Sequence, residues 1–261
     1  MKRMLCVFAL IPFLVSCDDS TDKVENVPEL LVYCGITMAH PIKDIAALVE
    51  KEKGVKILIS QGGSEDLYKS LSSSRKGDLY LPGSASYRER HLDEGLFGDY
   101  VLVGYNQAAL IVQKGNPKGI KPNIDELLRK DVAAIIGNAT TGSIGRETKL
   151  ILDRHGNYTK VLESSVFVTT DSRNLNKALR DGEADVIINW RATAFFDENR
   201  AYMDIVDLSI KEATPKALIL NTLTFSKYPE ISQYFLDVAK SERGQKIFRD
   251  YGFLGAADIE L

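Results

Sequence analysis

Four short stretches concentrate Gly, Ser, Thr and Asn immediately ahead of a helical pattern: YCGITMAHP, SQGGSEDL, NATTGSIGRE and TTDSRNLNK. Each follows an apolar segment that reads as a strand, and almost none carries a basic side chain at the turn itself. Taken singly, each is an ordinary helix N-cap, since Ser, Thr, Asp and Asn are the preferred capping residues. Taken together, they describe a chemistry. The first turn of a helix presents unpaired N–H groups and about half a positive charge, which suits an anion. Four such turns at the carboxyl ends of strands would converge on one cleft if two α/β units face each other.

Other motifs point elsewhere. GNATTGS, residues 137–143, mimics the glycine spacing of a phosphate-binding loop, but Ser143 stands where its lysine belongs, so nucleotide hydrolysis is not expected. Ser84 in PGSAS lacks the G-x-S-x-G elbow of a hydrolase. His40, beside Pro41 at the first junction, would be a general base for Ser64 in a secreted serine hydrolase; the alternative is a helix cap or a solvent-facing ring. Arg146, in a first helical turn, is the better candidate for an anion clamp. Arg191 follows Trp190 and is read as pointing to the opposite face, into a structural ion pair. Cys34, on a buried strand, is read as packing.

The elements that must position these residues follow from hydrophobic periodicity. LLVYCGI is a short buried strand, and Ile42, Ile45, Ala46 and Val49 recur at helical spacing. Gly54 closes that helix, VKILIS is the next strand, and GDLYLPG is a third. The alternation restarts at YNQAALIVQKG. It continues through the helix IDELLRK, the strand VAAIIGN, the helix RETKLILDRHG, the strand SSVFVTT, the helix LNKALRDG and the strand ADVIINW. After Pro215, KALILNTLTF is a strand, and Pro229 opens two final helices. This grammar predicts a mostly parallel α/β architecture with ligands at the carboxyl ends of the strands.

Composition is that of an ordinary globular protein. The 261 residues are 44% hydrophobic and 26% charged, with a formal charge of −3, so no broad basic surface is available for nucleic acid. Lys2 and Arg3 precede an apolar run that ends at Ser16-Cys17, the layout of an export signal. Leu14-Val15-Ser16-Cys17 resembles a bacterial lipobox. Residues 1–16 are therefore expected to be a lipoprotein signal peptide, with Cys17 lipidated and residues 17–28 a flexible tether. Asp18 resembles the signal that retains lipoproteins on the inner membrane, which implies a periplasmic, membrane-anchored protein. Cys34 would then be the one remaining thiol, so no intramolecular disulfide is expected.

The order of the blocks resembles the molybdate-binding proteins of ABC importers, members of the type II periplasmic binding protein family. The resemblance rests on VYCGITMAHPIKDIA, VKILISQGGSEDL, LIVQKGNPKGI, the GxxGR of the third junction, ALRDGEADVIINWRATA and SERGQKIFRDYGF. It implies two lobes, each a three-layer α/β/α sandwich: residues 29–104 completed by 215–261, and residues 105–214. Hinges are expected in GYNQAAL and near TPKALIL. It further implies a monomer that is not an enzyme and needs no cofactor, closing on a tetrahedral oxyanion, molybdate or tungstate first, for delivery to a permease and its ATPase. By position, Thr37 and Ser64 would donate hydroxyl and backbone N–H bonds, and Ile144 and Leu175 backbone N–H bonds. Trp190 stands where the family has a tyrosine; Gly63, Ser143 and Arg146 are neighbouring candidates. The ion would be held through these donors with no direct metal ligand. The departure at Trp190 leaves sulfate, thiosulfate or a small organic acid open as the ligand, and a sensor or colonisation factor open as the role. An all-donor shell also offers no acceptor to a ligand proton, which disfavours hydrogen phosphate.

Overall fold

The computed structural model describes residues 27–259. The export signal, Cys17 and nearly all of the tether lie outside the described residues. Among those described, no helix is long and apolar enough to cross a membrane.

The chain begins with strand β1, Glu29–Gly35, whose alternating side chains serve two cores. Leu30, Val32 and Cys34 pack on one face, while Leu31 and Tyr33 pack on the other. This period of two is what places helices on both sides of the sheet. Helix α1, Ala39–Lys53, buries Ile42, Ile45, Ala46 and Val49 in the first core. It stops at Gly54, whose φ of +63° lets its N–H reach Glu50 O. Strand β2, Lys56–Gly62, then pairs parallel to β1. Helix α2, Ser64–Ser74, buries Leu67, Tyr68 and Leu71 on the opposite face. Next come β3, Leu79–Leu81, the short helix α3, Ser86–Arg90, and the long strand β4, Phe97–Asn106.

The chain then enters a second sheet. Its elements are β5, Ala108–Gln113, β6, Ala134–Gly137, helix α4, Ser143–Arg154, and helix α5, Tyr158–Ser164. They continue with β7, Val168–Thr169, helix α6, Ser172–Arg180, β8, Val186–Trp190, helix α7, Asp197–Arg200, and β9, Met203–Val206. Strand β10, Lys216–Leu223, returns to the first sheet, followed by α8, Pro229–Lys240, and α9, Glu242–Asp250. The sheet orders are β2-β1-β3-β10-β4 and β7-β6-β8-β5-β9. Each lobe thus has a mixed α/β sheet with its own core.

Neither sheet is as parallel as the alternation predicts. β10 runs antiparallel to both β3 and β4, and β5 runs antiparallel to both β8 and β9. The reason lies in the crossings: β4 leaves the first lobe where β10 re-enters it, with Asn106 opposite Lys216. Two passages in opposite directions, side by side, must pair antiparallel. Two local expectations also change. IDELLRK contains only a 3-10 turn, Ile124–Leu128, and SSVFVTT pairs over just two residues.

Candidate functional site

The ends of the first three junctions meet around one glycine, Gly83, two residues beyond β3. Ser64, the first residue of α2, is almost fully buried, and its Oγ accepts the Gly83 N–H at 3.0 Å. Its carbonyl is fixed by the Tyr80 hydroxyl at 2.8 Å. From the other lobe, Ser143, the first residue of α4, presses on the same glycine. A Cβ built on Gly83 would lie 2.3 Å from Ser143 Oγ and 3.5 Å from Ser64 Oγ. Ser143 Oγ in turn accepts the Trp190 indole N–H at 3.1 Å. Gly35, at the end of β1, borders the same point, since a Cβ there would stand 3.4 Å from Gly83 N.

The lobes touch directly at Gly63, the N-cap of α2. A Cβ on Gly63 would fall 2.7 Å from the carbonyl oxygen of Thr141. The Arg146 guanidinium crosses the same boundary to Glu65 and to the Tyr87 hydroxyl, each at 3.4 Å. On the far side of the crevice, Arg173 reaches Gln61 at 3.2 Å and His40 reaches Glu198 at 3.2 Å. His40 also lies against the Phe196 ring, so its contacts are those of a lobe-bridging pair, and its side chain makes no hydrogen bond to Ser64.

Neither α2 nor α4 has a side-chain cap, which leaves the amides of their first turns without a side-chain acceptor. Ile144 lies in that first turn of α4. Thr37 is buried in the 3-10 turn Ile36–Met38, with its Oγ1 2.8 Å from the Met38 sulfur. Leu175 is placed differently. Its N–H bonds Asp171 O at 3.2 Å, and the Asp171 carboxylate caps α6 through Arg173 N and Asn174 N. The donor read for Leu175 is engaged within its own helix, and a carboxylate already occupies that helix end. Trp190 is also displaced in role, because its single donor goes to Ser143 and any effect on a ligand passes through that hydroxyl. Arg191 bonds Asp207 at 2.9 Å and Gly252 O at 3.1 Å, which gives it the structural ion pair expected of it. Cys34 is buried and free, and burial pushes its thiol far up. No group of three His, Cys, Asp or Glu side chains suited to a metal ion occurs among the described residues.

Sequence reasoning missed Gly83 and Glu147. Gly83 had a signal, a Pro-Gly pair directly after an apolar strand. Glu147 had none, because a glutamate in the first turns of a helix ordinarily faces solvent. Here it is 5% exposed, with one oxygen 3.3 Å from Lys216 Nζ and the other without a hydrogen-bond partner. Burial pushes its carboxyl above the ordinary range, against a smaller downward pull from Lys216. A group that holds its proton more tightly folded than unfolded loses the protein stability as pH rises through that window. The Tm of Glu147→Gln relative to the wild type is therefore expected to rise from about pH 4 to about pH 7 in thermal melts; a constant difference would contradict the assignment.

A family model described as bacterial extracellular solute-binding protein matches residues 30–254. The chain belongs to that family. A Haemophilus influenzae protein described as a binding protein is 27% identical over 261 residues, covering 98% of this chain and all of that one. The periplasmic molybdate-binding protein of Azotobacter vinelandii superposes with a TM-score of 0.71 at 14% identity, over 86% of this chain and 98% of that one. L-phospholactate-bound PEB3, a Campylobacter jejuni protein, gives 0.68 at 17%, over 86% and 99%. At these identities the structural likenesses establish the two-lobed periplasmic-binding-protein fold of this family member.

Proposed function

We propose that the protein captures an oxyanion group between its lobes and presents the closed form to an ABC importer. One observation carries this reading: the hydroxyls of Ser64 and Ser143, from opposite lobes, meet at Gly83, and each accepts an N–H. Gly83 donates to the first and Trp190 to the second, so each hydroxyl keeps its own proton for a ligand. Uncapped first turns of α2 and α4 add backbone amides and partial positive charge. Such a set offers donors and no acceptor, and each bond to a charged oxygen is worth about 1.5–3 kcal/mol. Molybdate, named for one structural relative, and tungstate, implied with it by the resemblance, are the first ligands to test.

A second reading concerns the anion's size. Ser143 and Trp190 also line a cavity of about 270 Å3, together with Arg146 and Lys216. This is more room than a bare tetrahedral ion fills, and it favours an oxyanion attached to a small organic part, such as the solute in the PEB3 structure. Thermal denaturation of the full chain against molybdate, tungstate, sulfate and small organic phosphates tests both readings. A bound anion raises Tm by mass action. A rise with molybdate or tungstate supports the first, and a rise only with organic anions supports the second. No rise with any of them removes the proposal. Anchoring at Cys17 would place this capture at the membrane surface; labelling with a radioactive fatty acid, lost on Cys17→Ser, tests it.

A further inference from the structure

The cavity beside Ser143 holds a feature that an inorganic oxyanion does not explain. Glu147 lines it, is 5% exposed, and has its Oε1 buried with no partner. A buried acceptor without a donor carries a desolvation cost that folding normally avoids. Its other oxygen is matched to Lys216 at 3.3 Å, so the carboxyl is oriented rather than loose. Arg146 borders the same cavity, and its Nε is likewise buried and unpaired. Its guanidinium is drawn toward Glu65. The wall is therefore mixed, with Lys216 and Arg146 as well as Glu147 and Glu89, and Ser143 at its edge presents a hydroxyl donor. An oxyanion dianion placed against Glu147 would meet a negative group and supply no proton to it.

We infer that the physiological solute is a small organic molecule with an oxyanion at one end and a hydrogen-bond donor, amino or hydroxyl, at the other, the donor being received by Glu147. This rests on the proposed capture of an oxyanion at Ser64 and Ser143 and adds the chemistry of the rest of the solute. The head would sit at the Ser143 edge, and the tail would extend along α4, where Glu147 lies one helical turn further on.

The test is a titration calorimetry series on the full chain with methyl phosphate, O-phosphoethanolamine and glycerol 3-phosphate, with molybdate as the bare ion. The inference predicts that at least one donor-bearing phosphate binds about tenfold or more tightly than methyl phosphate, because an acceptor otherwise left bare gains a partner. Glu147→Gln should erase most of that advantage without weakening methyl phosphate, since a charged acceptor is roughly twice as strong as a neutral one and loss of a negative charge does not oppose an anion. The wild-type ranking stands as a test even if the variant does not fold. Donor-bearing phosphates no better than methyl phosphate, or an advantage that survives in Glu147→Gln, would overturn the inference and leave the oxyanion reading intact. Molybdate binding alone would have the same consequence. If nothing in the series binds, both are wrong.

Discussion

Ser64→Ala is expected to weaken capture of the responding anion about 10- to 150-fold, the loss of one charge-assisted hydrogen bond of about 1.5–3 kcal/mol. The hydroxyl is not a surface donor that water can replace. Ser64 is 2% exposed, its hydroxyl is held in place by the Gly83 N–H at 3.0 Å, and the Tyr80 hydroxyl fixes its backbone. Removing it also leaves the Gly83 amide without an acceptor, so the ligand-free protein should lose stability by about 1–3 kcal/mol. The two effects separate cleanly. The ligand-free Tm reports the orphaned amide, and the ligand-induced rise in Tm reports binding. A variant that melts earlier yet keeps the full ligand-induced rise would assign Ser64 a structural role only.

Gly63→Ala should act on closure rather than on chemistry. At φ −63° and ψ 141°, Gly63 sits where any residue is comfortable, so alanine brings no backbone strain. What alanine brings is a methyl 2.7 Å from the Thr141 carbonyl of the opposite lobe. Overpacking of this kind costs about 1–3 kcal/mol, and it is felt only when the lobes are together. With lobes apart, the substitution should leave stability unchanged or raise it by about 0.4–1 kcal/mol through the unfolded chain. The expected pattern is an unchanged or higher ligand-free Tm and a fall in affinity of about 5- to 150-fold. Small-angle scattering should show less compaction on adding ligand than in the wild type. Undiminished affinity would mean that the Thr141 carbonyl yields, and that closure does not depend on this approach.

How far the sequence could be read depended on which physics was local. The strands and helices of the first lobe were legible because LLVYCGI is a short apolar run and Ile42, Ile45, Ala46 and Val49 recur at helical spacing. Those patterns record which face is buried, but not strand direction, so the antiparallel pairing of β10 with β3 and β4 was invisible. The candidate turns were legible as a composition, and Ser64 and Ser143 come together at Gly83. The assignment of individual donors was not. Asp171 caps α6 and draws in the amide of Leu175, a local choice that the motif TTDSRNLNK permits but does not compel. Trp190 donates to Ser143 across 47 residues of sequence, a relation that only the packed fold creates. Glu147 is the extreme case, since burial beside Lys216 turns a common helix residue into an unpaired acceptor.

In the proposed complex, uncharged donors from both lobes grip one oxyanion group. Crystals of the protein grown with whichever solute raises Tm most would test it directly. The predicted result is an electron-density peak with oxygens within about 2.6–3.2 Å of both Ser64 Oγ and Ser143 Oγ. A solute found instead on the far side of the crevice, beside His40 and Arg173, or on the outer face of either lobe, would contradict it.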